Sequence, residues 1–141
     1  IGYVKNSDIP LIYAFSKMFI YASLRASFGI PLLEGMAAGV PVITSNTSCM
    51  PEIAKDAALL VDPQKPEDIA AGINRILKNS IFANQLILKG KARIEHFAWI
   101  ISAAKVLEIY KVLYSEIKER KSNRFMQKLE NYFIRPKTKK E

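Results

Sequence analysis

Cysteine is nearly absent from this chain. The single one, Cys49, excludes an internal disulfide and fits a reducing, cytoplasmic compartment. It is also a poor nucleophile, because thiol activation needs a nearby base or positive charge. Cys49 lies in a Ser/Thr/Asn stretch with no histidine near it in sequence, so it reads as a plain loop residue. Histidine is equally scarce. The only one, His96, falls between two helical patterns beside Phe97 and Trp99, where aromatic packing accounts for the cluster without chemistry. No apolar run approaches the ~18 residues of a transmembrane helix. No secretory signal opens the sequence. Acidic residues are in deficit, with 21 Lys and Arg against 13 Asp and Glu for a net charge of +8. That deficit is local. Residues 1–110 hold 11 basic and 9 acidic side chains, whereas residues 111–141 hold 10 and 4. The bulk of the chain is nearly neutral and its end is basic.

What is present suits one globular domain. Of the 141 residues, 50% are hydrophobic and 24% charged, enough for a real core. The chain opens on Ile1-Gly2-Tyr3-Val4 rather than Met, which reads as the end of a strand and as a piece of a longer protein. Asp8 is placed to cap a helix reaching about Ser16, with Pro10 early in it. Residues 18–22 form a continuous apolar run, expected of a strand buried on both faces. A loop over 23–29 leads to a helix over 31–38, opened by Pro31 and closed by Gly39.

Further strands are expected at 41–44 and 58–61, with a polar loop over 46–50 and a short helix over 51–55 between them. Helices follow over 66–78, with Ile69, Ile73, Ile76 and Leu77 at helical spacing, and over 80–95. A last helix runs from Trp99 to about Lys121, with Val106, Ile109, Tyr110 and Leu113 along one stripe. Strands alternating with helices predict an α/β fold around a parallel sheet. Only three or four strands are visible, few for a complete doubly wound sheet.

In open α/β sheets, ligands sit beyond the carboxyl ends of the strands. The loop after strand 18–22 carries Phe28-Gly29-Ile30-Pro31 and runs straight into a helix. A helix N-terminus presents unpaired N–H groups and partial positive charge. Ile30 has no side-chain oxygen to take those donors, which leaves them for an anion such as phosphate. Gly29 allows close approach to the backbone. Glu34, one turn inside the helix, is placed either to accept hydrogen bonds from a ribose diol or merely to complement the helix dipole.

The order of these pieces carries more than any one of them. Residues 19–43 include Ala22-Ser23-Leu24-Arg25-Ala26-Ser27-Phe28-Gly29-Ile30-Pro31-Leu32-Leu33-Glu34-Gly35-Met36-Ala37-Ala38-Gly39-Val40-Pro41-Val42. This stretch closely resembles the donor-binding signature of family-4 (group 1) glycosyltransferases. There the strand is followed by Pro/Ala-Ser-Leu-x-Glu-Gly-Phe-Gly-Leu-Pro-x-Leu-Glu-Ala-Met-Ala-x-Gly-x-Pro-Val. Leu11 to Tyr13, Pro51-Glu52-Ile53, Ala57 to Pro63 and Phe97-Ala98-Trp99 extend the resemblance over about residues 1–115.

The resemblance implies a retaining GT-B enzyme: two Rossmann-like domains, with the cleft between them as active site. This chain would be part of the C-terminal, nucleoside-diphosphate-sugar-binding domain, a parallel sheet flanked by helices with a long C-terminal helix. An acceptor-binding domain would precede it, as would a loop supplying Arg and Lys to the diphosphate. The isolated chain would then be inactive. No metal or other cofactor is implied. Glu34 matches the second Glu of the family's Glu-x7-Glu motif, which holds the donor ribose. Phe28, Gly29 and Ile30 match positions whose backbone N–H groups meet sugar and diphosphate. Leu32 and Leu33 match the helix start beside the phosphates, and Tyr3 and Val4 match the loop beside the nucleobase.

One position departs from the pattern. The motif's first Glu, which contacts the transferred sugar, falls at Ala26, and the Gly after it falls at Ser27. Two readings stand. Either the enzyme holds its hexosyl group through backbone donors and another side chain such as Ser27, or the domain is a weakened or non-catalytic nucleotide-sugar module. Losing a charge-assisted hydrogen bond, about 1.5–3 kcal/mol, slows transfer without abolishing nucleotide binding. Arg25, although adjacent, reads as a surface residue.

The donor-binding domain is expected over residues 1–117 and a basic amphipathic extension over 118–141. The extension places Lys118, Arg120, Lys121, Arg124, Lys128, Arg135, Lys137, Lys139 and Lys140 among Phe125, Met126, Leu129, Tyr132 and Phe133. That composition suits either an anionic membrane surface at the cytoplasmic face or a solvated tail. No nucleic-acid-binding motif accompanies it.

Overall fold

The structure, a computed structural model, describes residues 2–133, with side chains through Lys128. The chain forms two compact units that divide between Ala98 and Trp99. The first contains α1 (Ile9–Phe15), β1 (Phe19–Tyr21), α2 (Ile30–Ala37), β2 (Val42–Ser45), α3 (Met50–Ala54), β3 (Leu59–Val61), α4 (Pro66–Lys78), α5 (Ser80–Ile94) and a 3-10 turn over Glu95–Phe97. The second is one helix, α6 (Trp99–Phe133).

The sheet is parallel with strand order β1-β2-β3. Parallel pairing follows from the connections, since α2 and α3 each carry the chain back to the start of the next strand. β2 is central, and all four of its residues are buried. Its side chains alternate between two cores, as the period of two demands. Val42 joins Leu32, Met36, Met50 and Ile53 on one face, whereas Ile43 joins Val61, Ile76 and Leu86 on the other. Thr44 is wholly buried, and its hydroxyl donates to the Tyr21 carbonyl at 3.0 Å, tying β2 to β1 beside the ladder.

Helices cover both faces. α4 lies so close to β3 that a methyl group at Gly72 would sit 3.2 Å from Leu59 and Val61. α5 serves both layers: Leu86 enters the second core, while Gly90 lies against Met36 of α2 and Ile94 packs on the first core. The Rossmann-like layering expected from the alternating pattern is therefore present, as is the long terminal helix.

Several local expectations need correction. Residues 2–4 are coil rather than strand. A strand exists by pairing, and among the described residues nothing pairs with this segment; Gly2 has φ +75 and Tyr3 is 90% exposed. Ile1 lies outside the described residues. β1 is an edge strand, so Ile20 stays 39% exposed rather than buried on both faces. Asp8 occupies the N-cap position of α1 with helical backbone angles and makes no side-chain cap; its carboxylate instead accepts from the Ser7 hydroxyl.

α6 continues past Lys121, because no Gly or Pro interrupts residues 99–133. The stripe of Val106, Ile109, Tyr110 and Leu113 lies on it, but Leu107, Val112 and Tyr114 are exposed apolar residues as well. Phe97 packs on the first core, and Trp99, the first residue of α6, is 84% exposed. Among the described residues no helix is long and apolar enough to cross a membrane. Arg135, Lys137, Lys139 and Lys140 lie outside the described residues.

Candidate functional site at the carboxyl end of the sheet

Two loops meet where β1 and β2 end. The first runs from β1 to α2 and the second from β2 to α3. The second grips the first by its main chain. The Ala26 carbonyl accepts from the Ser48 hydroxyl at 2.9 Å and from the Cys49 thiol at 3.1 Å. The Ala26 N–H donates to the Ser48 oxygen at 3.3 Å. Ser23 folds its own loop by donating to the Arg25 carbonyl at 2.8 Å. Cys49 is thus a structural donor, and Ser48 holds a left-handed backbone, φ +59, to make its bonds.

The turn into α2 depends on Gly29. Its φ of +84 and ψ of +50 are left-handed, and a methyl group there would come within 2.5 Å of the Met50 Cε. The left-handed backbone by itself disfavours a side chain there. Past this turn α2 begins at Ile30, with Pro31 in its first turn and no side-chain cap. The Gly29 carbonyl accepts from the Leu32 N–H at 2.9 Å. Among the described residues no hydrogen bond takes the N–H groups of Phe28, Gly29 or Ile30. These donors stand at the positive end of a helix dipole.

The Phe28 ring is braced from below. It meets Phe97 edge-on at 5.8 Å, and the Arg93 guanidinium lies 4.7 Å from the Phe97 ring centre. Arg93 also donates to the Ile53 carbonyl at 2.9 Å and the Glu52 carbonyl at 3.0 Å. It therefore satisfies the carbonyl end of α3 while supporting the loop. Two depressions lie in this unit. One is lined by Leu24, Arg25, Ala26, Ser27 and Ser48, which give one cation, two hydroxyls and no carboxylate. The other lies between α1 and α2 and contains Asn6, Ile9, Pro10, Tyr13, Glu34 and Ala37.

Glu34 is held in that second groove. The Tyr13 hydroxyl donates to its Oε2 at 3.0 Å. Burial, followed by the hydrogen bond to Glu34 and its negative charge, pushes the Tyr13 hydroxyl up to about 12.

The structure brings together Ser27, Phe28, Gly29, Ile30, Leu33 and Glu34 along one continuous turn and helix start. Ser27, Phe28, Ile30 and Glu34 are exposed, Gly29 is buried, and Leu33 turns against the first core. Tyr3 and Val4 lie in the coil before α1 and line neither depression. Arg25 is exposed on the wall beside Ala26, whose methyl group packs on the first core. His96 lies with Lys55, Asp56, Lys89 and Arg93 around a separate hollow. Sequence reasoning missed Tyr13, Ser48 and Arg93. The signal for Tyr13 was its place in the helix before β1, but only the fold puts its hydroxyl on Glu34. Among the described residues no three of His, Cys, Asp or Glu converge enough to hold a metal ion.

Comparison with known proteins gives this geometry relatives. Residues 1–93 match the family described as glycosyl transferases group 1. O-antigen chain mannosyltransferase B of Escherichia coli is 35% identical over 80% of this chain and 30% of its own length. Sucrose-phosphate synthase from Thermosynechococcus elongatus superposes with a TM-score of 0.74 at 27% identity, over 82% of this chain and 30% of that one. The C-terminal domain of a group 1 glycosyl transferase from Francisella tularensis superposes with a TM-score of 0.61 at 28% identity, over 67% of this chain and 50% of that one. The chain spans 30% of the length of the first two curated relatives it matches and 13% of a third.

The Tyr13 contact has a pH signature. The hydroxyl is harder to ionise in the folded chain than in the unfolded one, where 10.0 is the reference. Its contribution to stability is therefore whole below about pH 10 and is lost as pH rises through about 12. Tyr13→Phe should flatten this alkaline loss of stability, measured as urea midpoints at pH 9 and above. An identical pH dependence in the two proteins would refute the assignment.

Proposed function

This chain belongs to the glycosyl transferases group 1 family, and on that premise we propose that it binds the nucleoside-diphosphate sugar of a retaining hexosyl transfer. One observation carries the reading. The N–H groups of Phe28, Gly29 and Ile30 have no protein acceptor among the described residues, and they stand one helical turn from Glu34 at the carboxyl ends of parallel strands. A diphosphate fits the first group of donors, and the ribose hydroxyls of the same ligand fit the carboxylate. Mannose is the first sugar to test, because the Escherichia coli relative is a mannosyltransferase. An acceptor-binding domain elsewhere in a full-length enzyme completes the reaction, and no metal ion is needed.

In this reading the protein positions the donor and stabilises charge developing on the leaving diphosphate. The helix α2 dipole and its unpaired N–H groups supply the part of that stabilisation that belongs to this chain. The transferred sugar meets Ser27, Ser48 and Arg25 around Ala26, without the carboxylate that the family motif has there. Such a site favours binding over turnover. The alternative of a non-catalytic nucleotide-sugar module rests on the same residue.

The basic end of the chain supports a second proposal, attachment at an anionic, cytoplasmic membrane face. Phe125 and Met126 are exposed on α6 among Lys118, Arg120, Lys121, Arg124 and Lys128.

Calorimetric titration with UDP, GDP and their glucose, galactose, mannose and N-acetylglucosamine conjugates should find one nucleotide that binds, unchanged by a chelator. Glu34→Ala should weaken that binding by about tenfold or more, as expected for a lost charged hydrogen-bond acceptor. No heat with any of them would sink the donor reading. In a transfer assay on the full-length enzyme, Ala26→Glu should raise the rate by about tenfold or more, from the same charge-assisted bond. An unchanged or lower rate would mean that the sugar is held by other groups. Vesicles of anionic phospholipid should co-sediment the full chain and release one truncated after Ile117. Equal pelleting of the two would remove the membrane proposal.

A further inference from the structure

We propose that Tyr13 is the positioning residue of the ribose-binding carboxylate, fixing Glu34 so that one oxygen is kept for a vicinal diol. The inference rests on the donor reading above and adds a residue that the family motif does not contain.

A carboxylate on an exposed helical turn has no preferred direction. A long polar side chain loses rotamer freedom when it is fixed. If the ligand alone fixes it, binding is weakened by that cost. Tyr13 removes part of the cost in advance. Its hydroxyl donates to Glu34 Oε2 at 3.0 Å, and no second protein partner takes Oε1 among the described residues. One oxygen is committed to the protein and the other is left for a ligand hydroxyl. A hydroxyl donating to a carboxylate is a charge-assisted bond, stronger than a neutral pair.

The tyrosine is itself held in place. Its ring meets Phe19 edge-on, with centroids 4.9 Å apart at 75°. Phe19 is anchored in β1 and stacks along the strand with Tyr21 at 6.3 Å. Above Phe19 lies Gly35, the residue after Glu34. A methyl group there would stand 2.8 Å from the Phe19 Cδ1, so α2 comes down on β1 where only glycine fits. Ring, helix and strand together set the distance between hydroxyl and carboxylate. Glu34 and Gly35 are neighbours on α2, so the same contact that seats the helix on Phe19 brings the carboxylate within reach of Tyr13. The groove is otherwise lined by Ile9 and Pro10 of α1, Ala37 of α2 and the amide of Asn6, which makes no hydrogen bond to the carboxylate among the described residues.

A tyrosine that only filled the groove would affect every nucleotide alike. A tyrosine acting through Glu34 should matter only for ligands with ribose hydroxyls. The test is calorimetric titration of the full chain with UDP and GDP and with their 2′,3′-dideoxy counterparts, using wild type, Tyr13→Phe, Glu34→Gln and the double variant. For the nucleotide that binds, Tyr13→Phe should weaken the ribonucleotide by about five- to tenfold, the size of one such bond. It should leave the dideoxy form within about twofold of wild type, which also reports that the variant is folded. The double variant should bind the ribonucleotide no more weakly than Glu34→Gln alone. Full ribonucleotide affinity in Tyr13→Phe, or equal weakening of both nucleotide forms, would overturn the assignment while leaving the donor reading in place. Absence of binding by the wild-type chain would overturn the donor reading and this inference with it.

Discussion

The left-handed turn at Gly29 is the constraint from which the rest of the site descends. With φ at +84 and the Met50 side chain where a Cβ would project, Gly29 closes the connection over residues 22–29 and turns the chain into α2. α2 therefore starts at the carboxyl end of the sheet, with its first N–H groups without acceptors among the described residues. Because α2 starts there, its second turn lies over Phe19 at Gly35 and sets Glu34 opposite Tyr13. Met50 is wholly buried at the start of α3, so the β2–α3 loop supplies the surface against which the turn is formed. Neither loop keeps its shape without the other.

That mutual dependence explains how the Ala26 position tolerates the loss of a motif side chain. Residue 26 is held through its backbone: its carbonyl and N–H are engaged by Ser48, and its carbonyl also by Cys49. Its methyl group packs on the core that contains Leu32 and Met36. None of these contacts needs a carboxylate. The loop is kept in shape by groups that any residue carries, so a side-chain change there alters the wall of the depression and not the path of the chain.

Much of this was legible in the sequence, and the exceptions share a cause. α4 was legible from Ile69, Ile73, Ile76 and Leu77 at helical spacing, a local signal. β2 was legible from its β-branched residues, and the α2 start from Pro31. The motif order then named the family. Residues 2–4 looked like a strand because Tyr3 and Val4 favour one, yet a strand needs a partner, and partners are not a local property. Tyr13 with Glu34 and Ala26 with Ser48 are 21 and 22 residues apart. No periodicity links such pairs; they meet because two loops and two helices converge over one sheet end. The continuation of α6 to Phe133 was hidden by a charged stretch that reads as a helix end but contains neither Gly nor Pro.

The separation of the two carboxylate positions has a chemical consequence. In the proposed donor site, diphosphate and ribose would be held by the α2 N-terminus and Glu34, neither of which involves residue 26. Only the sugar would meet the wall at Ala26, Ser27 and Ser48. Contacts with the ribose would change little as the glycosidic bond breaks, so they would strengthen substrate and transition state alike. Contacts with the sugar and with the leaving diphosphate would change most, because charge develops on both. A site that keeps its helix start, Gly29 and Glu34 but has no carboxylate at residue 26 would therefore keep its hold on the nucleotide and lose one contact to the sugar. In the proposed site the hold on the ribose and the contact with the sugar would be carried by different residues, Glu34 in the groove between α1 and α2 and the wall around Ala26.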